Sequence, residues 1–457
     1  MEYQNGKMEG LKVAYIGGGS RGWAWTFMTD LALEPSMCGT VCLYDIDAEA
    51  AEHNEVIGNS LAQRPETVSP WKYETAATLD EALTGADFVI ISILPKTFDE
   101  MAVDVHMPER LGIWQSVGDT AGPGGIIRGL RTIPMFVEIA EGIRRCCPRA
   151  WVINYTNPMS LCVATLYDTF PEIRAFGCCH EVFGTQKVLA GIAAEALGME
   201  SIPRQEICVN VLGVNHFTWF DAASWKGIDL FPIYQRYVQE HMDDGYAEQD
   251  ANWMNSSFGC RHRVKFDLFR RYGWIAAAGD RHLAEFMPGD EYLRDPETVK
   301  SWDFGLTTVD WRKQDLQNRL ARSKRLLSGE EQLPLKPTGE EGVLLMKALC
   351  GLGRMVSNVN IPNRMGQIAN LPRETVVETN ALFERDAIRP LEAGSLKPDI
   401  LELVRPHAEN QRRVLQAAKT RDEALTAEAF ANDPLVRGRA TPEEIRDLVH
   451  DMMAATL

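Results

Sequence analysis

The chain has 457 residues, 45% of them hydrophobic and 24% charged, with a formal net charge of −17. That length exceeds one ordinary core and fits two or three domains or one large α/β body. The acidic balance excludes a nucleic-acid groove, while the polar first ten residues and ten cysteines without a C-x-x-C pair lead us to expect a cytoplasmic protein without disulfide staples.

From Lys12 the sequence runs Lys-Val-Ala-Tyr-Ile and then Gly17, Gly18, Gly19, Ser20, Arg21 and Gly22. This predicts a buried parallel strand entering a G-x-G-x-x-G turn. Gly17 permits the tight turn, Gly19 lets backbone approach a pyrophosphate, and Gly22 lets the next helix pack close with its positive N-terminus toward the phosphates. A second strand over residues 40–44 ends at Asp45, 23 residues after Gly22. A carboxylate there holds both ribose hydroxyls and favours NAD over its 2′-phosphorylated form. The alternative is a purely structural glycine turn.

Helical composition over residues 47–61, a short strand at 71–75 and a capped helical turn at 78–83 follow. The apolar, β-branched run 88–94 predicts a central parallel strand buried on both faces; it is far too short to cross a bilayer, so no membrane association is expected. Strands alternating with helices over the first 150 residues predict a doubly wound sheet. The stretch 118–125, four glycines and a proline in eight residues, predicts a loop lying against a ligand, or else a flexible connection, before a helix over 126–145.

A β-rich run at 150–153 leads into Asn154-Tyr-Thr-Asn157-Pro158. Pro158 suits the first turn of a helix. Ligands of open α/β sheets bind beyond the carboxyl ends of strands, so Asn154 and Asn157 are placed to meet substrate or a nicotinamide ribose, unless they are plain helix caps. Residues 173–176 deliver Gly177-Cys178-Cys179-His180-Glu181-Val182 in the same way, and the strand 207–212 delivers Asn215-His216. Thiolate and imidazole together suit a borderline metal, which makes Cys179 and His216 a candidate pair; a buried cysteine and a satisfied histidine are the plain alternative. Trp219, Trp225, Trp253, Trp274 and Trp311 are expected in the core more than on a sugar platform. Gly279-Asp280-Arg281-His282-Leu-Ala-Glu285-Phe286, four ionisable side chains beside small and apolar neighbours, is a candidate acid/base segment. An amphipathic helix is expected over 340–357, an Asn-rich stretch from Asn358 to Asn370 follows, and residues 397–457 read as helical with breaks at Pro434 and Pro442.

In this order, along nearly the whole chain, the fingerprint 17–22, Asp119-Thr-Ala-Gly-Pro-Gly-Gly125, Asn154-Tyr-Thr-Asn-Pro158, Cys179-His-Glu-Val182, Asn215-His216, Gly279-Asp-Arg-His282 and the Asn-rich segment resemble glycoside hydrolase family 4, the NAD- and divalent-metal-dependent glycosidases. The resemblance implies an α/β fold similar to lactate and malate dehydrogenases: a Rossmann-type doubly wound sheet over residues 1–206, fused to an α+β domain over 207–457 that serves catalysis, substrate binding and oligomerisation as a homodimer or homotetramer. It implies Mn²⁺ or a related metal on Cys179 and His216, with Cys179 preferred to Cys178 because it directly precedes His180. Cys-His-Glu-Val resembles the variant of α-galacturonidases, whereas Cys-His-Ser-Val enzymes act on neutral α-glucosides and α-galactosides; the difference rests on Glu181, and an α-glucuronide is a further alternative.

The family is an exception to the two-carboxylate glycosidase mechanism. The resemblance implies hydride transfer from sugar C3 to NAD⁺, proton abstraction at C2, elimination of the glycosidic oxygen, addition of water and return of the hydride. It implies Asp280 as the base, unless a tyrosine serves or Asp280 is only ion-paired with Arg281. Asp119 is the first candidate for the acid and His180 the second. Asn157 and Asn154 would orient sugar hydroxyls or the ribose, and Arg281 or Arg128 would clamp a uronate carboxylate. The rivals are a 2-hydroxy-acid dehydrogenase of the same fold and an NAD-sensing regulator without chemistry.

Overall fold

The computed structural model describes residues 2–247 and 259–457, so Trp253 lies outside the described residues. β1 (Glu2–Gln4) and β2 (Lys7–Ile16) open the chain, followed by β3 (Met37–Tyr44), β4 (Lys72–Thr75), β5 (Phe88–Ile91), β6 (Trp151–Asn154) and β7 (Arg174–Gly177). β2 to β7 are parallel in the order 4-3-2-5-6-7. This is the doubly wound arrangement, with its switch point between β2 and β5. Side-chain alternation explains why both faces are covered. Val13 and Tyr15 join one apolar cluster with Ile90 and Phe176, and Ala14 and Ile16 join the opposite one with Ile91 and Val152. β5 is buried throughout, and each of its four side chains contributes on the order of 1.5–3 kcal/mol by leaving water.

The crossover helices are α1 (Trp23–Leu33), α2 (Ala48–Ala62), α3 (Leu79–Leu83), α4 (Phe98–His106), α5 (Gly122–Cys146), α6 (Met159–Thr169) and α7 (Glu181–Ala196). Three local expectations change. α5 begins at Gly122, not at residue 126, and Gly122 to Gly125 are buried in its first turn. A Cβ on Gly125 would lie 2.3 Å from the Thr120 carbonyl carbon, and one on Gly124 2.7 Å from the Gly118 oxygen, so these glycines admit their own loop rather than a ligand. The central strand stops at Ile91, three residues short of the apolar run. Pro158 is the cap residue before α6 rather than its first residue.

The second half builds a four-stranded antiparallel sheet from β8 (Ile207–Val214), β9 (Phe217–Trp225), β10 (Ile228–Asp229) and β11 (Ile275–Ala276). Around it lie α8 (Phe231–Glu240), α9 (Arg263–Tyr272), α10 (Asp280–Glu285), α11 (Pro296–Ser301), α12 (Val309–Ser328) and α13 (Gly342–Leu349). The helix expected over 340–357 is thus a short one, because Gly351 turns at φ 80° and Ser357 already belongs to a strand. β12 (Met355–Pro362), β13 (Val376–Glu384) and β14 (Ala387–Pro390) then return to the large sheet, β12 lying antiparallel to β7 with Asn360 opposite Gly177. The helices α14 (Pro398–Thr420), α15 (Glu423–Asn432) and α16 (Pro442–Thr456) close the chain. Trp219 and Trp225 are buried as expected. No helix among the described residues is long and apolar enough to cross a membrane.

Candidate active site

A cavity of ≈ 840 Å³ opens beyond the carboxyl ends of the parallel strands, lined by Gly17, Gly19, Ser20, Arg21, Asp45, Asp119, Arg128, Asn157, Cys179, His180, His216, Arg281 and His282. Gly17 turns at φ 89°, and a Cβ there would lie 2.0 Å from the Ser92 oxygen; Gly18 has Leu43 at 2.8 Å from the same imagined atom. A Cβ on Gly19 would lie 2.6 Å from that of Ala50. Gly22 caps α1. The Asp45 carboxylate accepts from Gly19 N at 2.9 Å and Asp47 N at 3.0 Å and also faces the cavity. A bare-backbone turn at a helix N-terminus, with a carboxylate at the end of the next strand, has the chemistry of a dinucleotide cradle. Asn154 does not share it. Its side chain is fully buried, accepting from Thr156 N at 3.0 Å and donating to Thr156 O at 3.0 Å, so it is spent on shaping the turn.

At the far end of the cavity one donor atom each of Asp119, His216 and His282 lies within 4.8 Å of the others. The two imidazoles face one another at a ring distance of 4.1 Å. Burial first, then His282, lowers His216 to about 3, and burial lowers His282 as well; both are neutral, lone-pair-bearing rings near pH 7. Thr120 Oγ1 occupies Nδ1 of His216 at 3.1 Å, which leaves Nε2 to a ligand. Cys179 lines the same cavity but stands outside this close trio. Thiol, imidazole and carboxylate together fit a borderline divalent metal such as Mn²⁺ with open positions for substrate oxygens.

Two acid candidates separate on their electrostatics. Burial would raise Asp119, but His282, His216, Arg128 and Arg312 outweigh it and hold the carboxyl far below its usual range. Thr120 Oγ1 donates to it at 2.8 Å and Asn157 Nδ2 at 3.3 Å. Surroundings that favour the charged form suit a place beside a metal better than that of a proton donor, so the electrostatics favour His180 over Asp119 as the acid. Burial opposes the charge of His180, yet Glu340, 3.2 Å from Nδ1, and Glu181 raise it to about 9. This imidazolium stacks on Trp23 at a ring distance of 5.6 Å.

A second cavity, ≈ 660 Å³, shares the side chains of His180, Glu181, Arg281 and His282 with the first and is also lined by Lys265, Cys260, His262 and Asp280. Glu181 is anchored by Gly279 N at 2.6 Å and is lowered to about 2, His282 and His180 overcoming the effect of burial. Asp280 is fully buried, so the alternative of a surface ion pair with Arg281 is set aside. Its two oxygens accept from Val264 N at 3.3 Å and Lys265 N at 3.1 Å, and burial raises it against His262 and Lys265. Arg128 donates from Nε to Asn157 O at 3.1 Å, and Arg281 donates to Thr307. Glu340 and Arg312 line the site without any sequence signature, since an isolated Glu or Arg in a charged stretch looks like surface. Arg312 reaches the cavity from α12, with its Nε buried and without a partner among the described residues.

Comparison with known proteins bears on this geometry. The family described as "Family 4 glycosyl hydrolase" matches residues 12–195, and its C-terminal domain matches residues 211–436. An α-galacturonidase of Lachnoclostridium phytofermentans is 64% identical over 456 residues, covering 100% of this chain and 98% of that one. A crystal structure from Bacillus subtilis is 50% identical, with a TM-score of 0.92 over 97% of this chain and 100% of that one. The 6-phospho-β-glucosidase of Thermotoga maritima, solved with manganese, NAD⁺ and glucose-6-phosphate, shares the fold at 18% identity, with a TM-score of 0.76 over 97% and 98% of the two chains.

Proposed function

Because the chain belongs to the family 4 glycosyl hydrolases, and is therefore a glycosidase, we propose that it hydrolyses α-galacturonides with NAD and a divalent metal, Mn²⁺ by preference. One observation carries this reading: the glycine turn with Asp45 and the cluster of Cys179, His216, Asp119 and His282 open into a single cavity. Such continuity is what a sugar must find if it is to be oxidised and cleaved in one place. The full-length identity to an α-galacturonidase supports the substrate, and Arg128, Arg281 and Arg312 on the wall of the cavity offer guanidinium groups of the kind that binds a uronate carboxylate.

When bound, NAD would supply a hydride acceptor for sugar C3 and Mn²⁺ would supply a Lewis acid for the C2 and C3 oxygens. Gly17 to Gly22 and Asp45 would hold the first; Cys179 and His216 would hold the second, with Asp119 and His282 beside them. His180, kept protonated by Glu340, gives its proton to the departing glycosidic oxygen. Asp280, a carboxylate whose proton affinity is raised by burial, takes the proton from C2 at the wall of the second cavity. Asn157 orients a sugar hydroxyl, and Arg281, which borders both cavities, meets the carboxylate.

Hydrolysis of an α-galacturonide in D₂O, with NAD⁺ and Mn²⁺ supplied or withheld, tests the reading. The expected product is galacturonate carrying one deuterium at C2, formed only with both cofactors. Cleavage without NAD⁺ or label would overturn the route. The same label from an α-glucuronide or a neutral α-galactoside, with galacturonides untouched, would keep the route and replace the substrate.

A further inference from the structure

The Asn-rich segment of β12 has no part in the reading so far, yet it lies directly behind the cluster. Glu378 on β13 is 1% exposed. Its Oε1 accepts from Asn358 Nδ2 at 2.7 Å and its Oε2 from Asn215 Nδ2 at 3.1 Å. The same Asn358 amide also donates to the Cys179 carbonyl at 3.1 Å. Among the described residues Glu378 has no ion-pair partner, so a buried carboxylate is met by neutral amides alone. That is a costly arrangement unless something else benefits from it.

What the network touches is informative. Asn358 grips the backbone of Cys179, and Asn215 directly precedes His216. One carboxyl group thus ties together the ends of β7 and β8, two strands from different sheets, one leading to Cys179 and the other to His216. The geometry points to Glu378 as a positioning residue for the metal: through Asn358 and Asn215 it fixes the backbone that carries Cys179 and His216. This rests on the proposal that Cys179 and His216 bind the metal.

Groups that orient metal ligands typically change metal affinity by about 10- to 100-fold when replaced. The test is Mn²⁺ titration of the full-length protein, read by the electron paramagnetic resonance of free Mn²⁺, alongside NAD⁺ titration by fluorescence and a melting curve. Glu378→Gln keeps the shape but turns an amide donor toward Asn358 or Asn215. It is expected to weaken Mn²⁺ by about 10- to 100-fold while NAD⁺ affinity stays within about twofold of wild type. Asn358→Ala removes both the bond to Glu378 and the link to Cys179 while leaving the carboxyl and its bond to Asn215 in place; it is expected to shift Mn²⁺ in the same direction, which keeps the test available if Glu378→Gln fails to fold. Unchanged Mn²⁺ affinity in a folded variant would overturn the inference and leave the metal reading intact, and an equal loss of NAD⁺ and Mn²⁺ affinity would reduce Glu378 to a structural residue. Absence of Mn²⁺ binding by the wild type would overturn both.

Discussion

Glu285 on α10 accepts from Val117 N at 2.7 Å and Gly118 N at 2.8 Å through one oxygen, while its other oxygen is buried without a partner among the described residues. Burial raises it to about 8 against those two N–H donors. The folded protein therefore holds this proton more tightly than the unfolded chain does, so the stabilisation is full below the ordinary carboxyl range and fades as pH rises through about 8. Glu285→Gln keeps the acceptor for both N–H groups and is expected to flatten the stability profile between pH 5 and pH 8.5, measured by urea unfolding. His180 makes the opposite kind of use of a neighbour. Glu340→Gln is expected to lower the imidazolium pKa and move the alkaline limb of kcat toward lower pH. His180→Gln should cost about 10²–10⁴-fold in kcat for a sugar aglycone but far less for nitrophenol, whose departure needs little help; rates on the two leaving groups decide it. Asn154 shows what a sequence motif conceals at this scale. Its place at a strand end is legible, but an asparagine facing a ligand and one folding back on its own turn are spelled alike.

At the scale of elements, the turn from β2 to α1 is the most sensitive feature. Gly17→Ala would drive a Cβ to 2.0 Å from backbone at φ 89°, where no flexible neighbour can yield. The expected outcome is loss of NAD⁺ binding together with a lower melting temperature, by fluorescence titration and calorimetry. This turn was legible because glycine spacing has a steric meaning that sequence preserves. So were the buried β5 and the capped start at Thr78, whose side chain accepts from Glu81 N. The start of α5 was not: Gly122 to Gly125 carry poor helix propensity, and packing on α4 and the 118–121 loop overrides it. The same holds for residues 351–357, where apolar composition suited a helix but Gly351 and pairing with β13 made a strand.

Over the whole molecule, the large sheet is assembled from both halves of the chain, because β12, beginning at residue 355, covers the edge of β7. The core on that face likewise mixes Val13 and Phe176 with Met346 and Phe383. A fragment of residues 1–206 would bare that edge and that apolar face, and is expected to be insoluble, whereas the full chain should unfold in a single calorimetric transition. Sequence order could not reveal this, since pairing across 180 residues leaves no local trace. The residues of the site were legible in proportion to their motifs; Arg312 on α12, Glu340 just before α13 and Glu378 on the returning β13 come from parts of the second half that carry none.

The partition of His180, Glu181, Arg281 and His282 between the two cavities has a temporal consequence. If the sugar enters through the smaller space to reach the metal end of the larger one, where the dinucleotide lies, each can turn over on its own clock. The carrier that is restored at the end of every cycle then has no reason to leave, and sugars pass by a resident nicotinamide. Pulse–chase of radiolabelled NAD⁺ during steady hydrolysis should find exchange slower than turnover; exchange as fast as product formation would mean that the whole site empties each round.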